Sequence, residues 1–265
     1  MISFAASLAN ARWMIRRLRR KPISQPGVDD RWIPWGGAGV ALLMVSALLV
    51  TALMILFDDD IILAARQAPI DVIGFFRATT DIGKSWWSLT ISGIGLIIIW
   101  LIDWTNVSKL ARIRARELTY DLAFVFYCVA ISGGLANVTK KLIGRGRPKF
   151  LDDYGHLVFE PGRFESSWAS FPSGHSTTFG ALAMLLILRW PQWTPVWILF
   201  GLAGGASRVM VDAHYPSDAI TGLWFGATFT WLTARWLAQR KIMFRFQKGS
   251  LIPERRLPDL QRDRD

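Results

Sequence analysis

Residues 89–102 read LTISGIGLIIIWLI. A helix packed on a soluble core carries polar residues along one side at 3.6-residue spacing; this stretch has almost none on any side. Lipid is therefore the solvent it suits. With its neighbours the apolar run extends from about Trp86 to Ile102 and stops at Asp103-Trp104, near the roughly 20 residues a spanning helix needs. Working outward, five more runs have the same character: Trp35 to Phe57, closed by Asp58-Asp59-Asp60, then about Leu118 to Ala136, Ser176 to Leu188, Val196 to about Gly205, and Ala219 to Leu237. The fourth and fifth of the six reach spanning length only if the polar residues at their ends are also helical. A chain that is 52% hydrophobic and holds 14 Trp agrees with this reading, and aromatic ends on the first two runs match an interfacial belt. The expected fold is all-α, a polytopic membrane protein with six transmembrane helices. The first run is read as a span and not a cleavable signal, because more than thirty residues precede it and it is too long.

Loop charge orients the spans, since Lys and Arg concentrate in short cytoplasmic segments. With the N-terminus inside, seven basic residues fall in 1–33, four in 103–118, one at Arg189 and nine in 235–265, so 21 of the chain's 31 basic residues lie inside. The expected topology is N-in, C-in. The formal charge of +11 would also suit nucleic acid, but the basic runs Arg16 to Lys21 and Arg235 to Arg256 flank apolar spans, where anionic headgroups are the simpler partner. Three regions follow: a basic cytoplasmic segment 1–33, a six-helix membrane domain 34–240, and a basic cytoplasmic tail 241–265 expected to be disordered. Cys128, the single cysteine, has no partner for a disulfide and is expected to pack as a small hydrophobe. Residues 61–80, too polar to span, are expected either as a short amphipathic element along the outer surface near a substrate entrance or as a plain connection; 149–171 is expected as a loop.

The polar residues most costly to place near a bilayer fall into three blocks: Lys140, Arg147 and Pro148; Pro172-Ser173-Gly174-His175; and Ser207-Arg208 with His214 and Asp218. Topology alone puts the ends of the third and fifth spans and the starts of the fourth and sixth on one outer, periplasmic face, so the three blocks converge there. Each has chemistry for a phosphate. Lys140 and Arg147 supply fixed charge, and an Arg fork binds two phosphate oxygens at once. Ser173 and Gly174 open a helix, where unsatisfied N–H groups and the helix dipole favour an anion, and Arg208 adds a third cation. Pro216 suits a first helical turn, which puts Asp218 four positions from His214, close enough to fix its tautomer and raise the nucleophilicity of the other ring nitrogen. His214 is thus the expected nucleophile, and His175, with no carboxylate near it in sequence, the expected general acid. His156, the third histidine, is expected to be a loop residue. Asp152 and Asp153 lack a third ligand at suitable spacing for a metal.

Lys140-x6-Arg147-Pro148, Pro172-Ser173-Gly174-His175 and Ser207-Arg208-x5-His214-x3-Asp218 resemble the three-part motif of the type 2 phosphatidic acid phosphatase (PAP2) family, without substitution. The likeness covers about 120 to 230, and the two preceding spans fit the family's six-helix membrane branch. The resemblance implies that Lys140, Arg147, Ser173, Gly174 and Arg208 bind phosphate, that His214 attacks phosphorus with Asp218 orienting it, and that His175 protonates the leaving oxygen. It further implies a phosphohistidine intermediate hydrolysed by water, with no metal and no cofactor. The implied substrate is a phosphomonoester or diphosphate of a membrane lipid: undecaprenyl diphosphate, phosphatidylglycerol phosphate, phosphatidic acid or lipid A 1-phosphate. Two other functions fit the same residues, transfer of the phosphate to a lipid acceptor and a non-catalytic lipid-phosphate transporter or scaffold. Gly201, Gly205, Gly222 and Gly226 are expected to mark close helix packing.

Overall fold

The computed structural model describes residues 18–25, 27–104 and 107–256. All six apolar runs lie in helices: α1 (Gly37–Ile55), α4 (Ser85–Leu101), α5 (Lys109–Ile143), α7 (Gly174–Arg189), α8 (Thr194–Met210) and α9 (Pro216–Gln239). The other helices are short, α2 (Asp58–Arg66), α3 (Ile70–Thr79) and the single turn α6 (Leu151–Tyr154). The polar ends of the two marginal runs are helical, since α7 begins with Gly174 and His175 and α8 continues through Ser207 and Arg208, and these helices are 16 and 17 residues long. By length and composition, Ile70–Leu101 and Lys109–Ile143 are apolar enough to cross a membrane, and Gly37–Ala52 is a shorter apolar helix. Between α1 and α4, residues 61–80 form α2, α3 and the start of a 3-10 turn at Thr80–Gly83, not a plain connection.

The chain divides into two compact units, one within Met1–Gly36, Trp87–Tyr127 and Trp231–Asp265, the other within Gly37–Trp86 and Cys128–Thr230. In the first, Arg235 is fully buried and its guanidinium donates to the carbonyls of Asp29, Arg31 and Leu251. Strands β1 (Phe244–Arg245) and β2 (Glu254–Arg255) pair antiparallel, and Phe244 meets Phe124 edge to face. The expectation of a disordered tail over 241–265 is therefore corrected for 244–256; the reason is that Phe244 and Phe246 are buried apolar anchors inside a stretch whose composition is otherwise basic. Residues 257–265 and most of 1–33 lie outside the described residues. Cys128, in the second unit, is fully buried.

The second unit holds every motif residue, and backbone contact between α7 and α9 sets its geometry. A Cβ on Gly222 would lie 2.5 Å from the Ser173 carbonyl oxygen, one on Gly226 would fall on the Thr177 carbonyl, and one on Gly180 on that of Leu223. Gly205 makes room for Leu223, and Gly201 for Ala183. Close approach lets the backbone N–H of Ser173 donate to the Asp218 carbonyl at 3.0 Å, so two motif blocks are joined by main chain. Gly226→Val forces these backbones apart, because the atom it meets is a carbonyl and not a flexible side-chain end. Overpacking costs about 1–3 kcal/mol. The expected outcome in detergent is a melting temperature lower by several degrees with a matching loss of monodisperse protein; an unchanged melting curve would count against this packing account.

Candidate active site

Each block is held by local structure that its residues dictate. Helix α5 ends because Gly144 adopts φ +65, a left-handed position where a Cβ would run into the Glu160 carbonyl. The chain that follows is pinned by the loop 149–171: Gly146 N–H donates to Val158 O, Arg147 N–H to Ser167 O, and Ser170 N–H to Arg145 O, at 3.0, 3.0 and 3.1 Å. At the start of α7, Ser173 is the N-cap, and its hydroxyl accepts from Ser176 N–H at 3.3 Å. After α8 the chain folds back so that the N–H groups of Ala213 and His214 both donate to Arg208 O. Pro216 then opens α9 as the sequence led one to expect.

The eight expected residues gather in one place. The Lys140 ammonium lies 3.1 Å from where a Cβ on Gly174 would stand, so it sits over the first turn of α7. Lys140, Arg147 and Arg208 are close enough to repel one another, and His175 feels Arg208, His214 and Lys140. Burial pushes the Arg147 guanidinium down from its ordinary value, and its buried Nε has no partner among the described residues. The Arg208 Nε is likewise buried without a partner, while its Nη1 donates to Thr80 Oγ1 at 2.6 Å. Clustered cations with unanswered donors are what an anionic oxygen would complete.

His214 is buried, with its Nδ1 3.6 Å from Asp218 Oδ2 and 3.4 Å from Ser170 Oγ. The separation of His214 and Asp218 is thus too long for a direct hydrogen bond; the Ser170 hydroxyl lies beside both, donating to Asp218 Oδ2 at 2.5 Å. Asp218 still faces Nδ1, so Nε2 is the ring nitrogen turned away from the carboxylate. Burial lowers the His214 pKa to about 4, only partly opposed by Asp218 and reinforced by Arg147 and Arg208, so the ring is neutral near pH 7 and keeps a lone pair for attack.

Several residues in the site had no counterpart in the sequence reading. Arg145 and Asp58 are buried behind Asp218, Ser170 touches it, and Thr80 holds Arg208. Arg66 clasps two motif loops, donating to Pro148 O at 2.8 Å and to Asp212 at 3.2 Å, and pairs with Asp152 at 3.3 Å. The signals were present for two of them: Asp58 follows directly on a long apolar run, where an ionisable residue is costly, and Arg145 lies two positions from Arg147. Ser170 and Thr80 carry no such mark. His156 is engaged elsewhere: its Nδ1 pairs with Asp59 at 2.7 Å, and its carbonyl accepts from Arg145.

Comparison with known proteins gives a consistent result. A family model described as PAP2 superfamily matches residues 121–242. The chain is 38% identical to a lipid A 1-phosphatase of Rhizobium johnstonii over 87% of its own length and 90% of that protein's. It is 36% identical to the lipid A 1-phosphatase of Rhizobium etli over 84% of its length and 95% of that protein's. The crystal structure of a transmembrane PAP2-type phosphatidylglycerolphosphate phosphatase from Bacillus subtilis matches with a TM-score of 0.50 at 21% identity, covering 72% of this chain and 92% of that one. At that identity the likeness is one of fold.

Proposed function

This chain belongs to the PAP2 superfamily, and we propose that it removes a phosphate from a membrane lipid through a phosphohistidine on His214, with lipid A 1-phosphate as the first substrate to test. Being a membrane lipid phosphatase follows from the family; the mechanism and substrate are the further step. The observation that carries the mechanism is the pairing of a neutral, buried His214, backed by Asp218 and Ser170, with the three cations Lys140, Arg147 and Arg208. In the first step His214 Nε2 bonds to phosphorus, the bond from phosphorus to the lipid oxygen breaks, and His175 gives that oxygen a proton. In the second, water attacks the phosphohistidine, His175 takes the water's proton, and phosphate leaves with His214 restored. The cations and the N–H groups at the start of α7 stabilise the charge on the transferring group, so the reaction is proposed to need no metal.

The lipid A preference rests on the two relatives that match nearly full length; undecaprenyl diphosphate, phosphatidylglycerol phosphate and phosphatidic acid are the competing substrates. Six spans with both termini inside and the site on the periplasmic face are proposed from loop charge, and Leu48, Leu199, Ile97 and Ile98, each more than half exposed, are surfaces that lipid would cover. Phosphate release from the four lipids in detergent, with and without EDTA, tests substrate and metal together. The expected result is the highest kcat/KM on lipid A 1-phosphate, unaffected by EDTA; a faster rate on another lipid reassigns the substrate, and inhibition by EDTA overturns metal independence. The same release without any added acceptor separates hydrolysis from transfer. For the topology, a cysteine introduced in 149–171 is expected to react with an impermeant reagent from outside, and labelling only from the cytoplasm reverses the orientation.

A further inference from the structure

We propose that Asp58 and Arg145 are positioning residues for the reaction, acting on His214 through Asp218. The inference rests on the reading of His214 as nucleophile. Arg145 is 1% exposed, and Asp58 and Asp218 are fully buried. A guanidinium has five N–H donors, and here five contacts fix it: Nη1 reaches Asp218 Oδ1 at 2.7 Å and Ser217 Oγ at 2.6 Å, Nη2 reaches Asp58 Oδ2 at 2.8 Å and His156 O at 3.0 Å, and Nε reaches His156 O at 3.2 Å. The plane also lies over the Tyr215 ring, 4.4 Å from its centroid. Asp218 accepts three bonds in turn, Oδ1 from Arg145 and Oδ2 from Ser170 Oγ and Tyr215 N–H. Asp58 accepts Ser217 N–H at 2.9 Å and Ser217 Oγ at 2.5 Å. It has no bond to His214 or to any phosphate-facing residue, so whatever it does for the reaction passes through Arg145 and Ser217.

Charge explains why two carboxylates surround one guanidinium. Arg145 alone would neutralise Asp218, and the imidazole that gains positive charge on bonding phosphorus would face no net counter-charge. Asp58 takes up half of the fork, so the buried set carries one net negative charge beside His214. The geometry serves the same end: a fully bonded Arg145 gives Asp218 one orientation, with its Oδ2 edge toward the ring.

The test uses the full chain in detergent and measures kcat, KM and the acid limb of kcat/KM for Asp58→Asn, Arg145→Met and the double variant. The charged groups that face His214, namely Asp218, Arg147, Arg208 and His175, are unaltered in all three. Removing a negative charge makes His214 harder to protonate and removing a positive one makes it easier. Asp58→Asn is therefore expected to lower kcat tenfold or more with KM within about twofold and to move the acid limb to lower pH, whereas Arg145→Met moves it higher. The double variant is expected to return the limb toward wild type and to lose less than the product of the single losses. A folded Asp58→Asn protein with wild-type kcat and acid limb overturns the proposal, as do limbs shifting in the same direction in both single variants. If the charge variants do not fold, Ser217→Ala keeps every charge and removes only the hydroxyl shared by Asp58 and Arg145; a several-fold fall in kcat at constant KM supports the inference, and an unchanged kcat overturns it. His214→Ala run in parallel separates the two readings. Activity surviving there overturns both, while its loss beside an unaltered Asp58→Asn protein overturns this inference alone.

Discussion

His214→Ala is expected to lower kcat on a lipid phosphate by about four powers of ten or more, the order seen when a covalent nucleophile is removed. Substrate affinity should change little, because Lys140, Arg147 and Arg208 are left in place. The wild-type protein, quenched rapidly after mixing with labelled lipid phosphate, should carry label that is stable in base and lost in acid, as a phosphorus–nitrogen bond is. The variant should carry none. Its pH behaviour adds a second reading on the same residue. Burial holds His214 near pKa 4, below the usual value of about 6.5, so the ring is neutral above about pH 4 and the acid limb of kcat/KM is expected as the pH drops through that value. An acid limb of kcat/KM near 6.5 with no labelled intermediate would point to another nucleophile.

His175→Ala should produce the other large loss, and a selective one. A general acid is worth about 10²–10⁴-fold where the leaving oxygen is a poor one, so that range is the expected fall with the lipid substrate. A nitrophenyl phosphate leaves without needing a proton, so its first step should be slowed far less. The water-attack step still lacks its base. With this substrate the variant should therefore release nitrophenol in a burst close to one per protein and hold the phosphoenzyme. Equal losses on both substrates, with no burst, would remove His175 from the role of acid and leave it as a phosphate contact.

The two histidines also show why sequence spacing could indicate neighbours but not contacts. Four positions separate His214 from Asp218, and a helix start at Pro216 was enough to place them side by side. Spacing could not reveal the 3.6 Å separation or the Ser170 hydroxyl beside it, because Ser170 reaches the pair from a chain segment 44 residues away from His214. Arg208 is comparable: its cationic role was legible, and the Thr80 hydroxyl that holds it comes from 128 positions away. The 61–80 segment, ambiguous as a pattern of mixed polarity, became part of the site through Thr80 and Arg66 once folded.

The sequence by itself determined the helices, the convergence of three polar blocks and the chemistry they suit, because hydrophobic runs, helix starts and charge are local properties that short stretches of chain carry unaided. Only the tertiary structure decided which buried groups support them. Asp58 closes one apolar run and Arg145 sits inside the first of the polar blocks, 87 positions apart, and nothing local joins them. They meet because unpaired charges cannot remain in a dry interior, and the folded chain brings to Asp218 the guanidinium and second carboxylate that its burial requires.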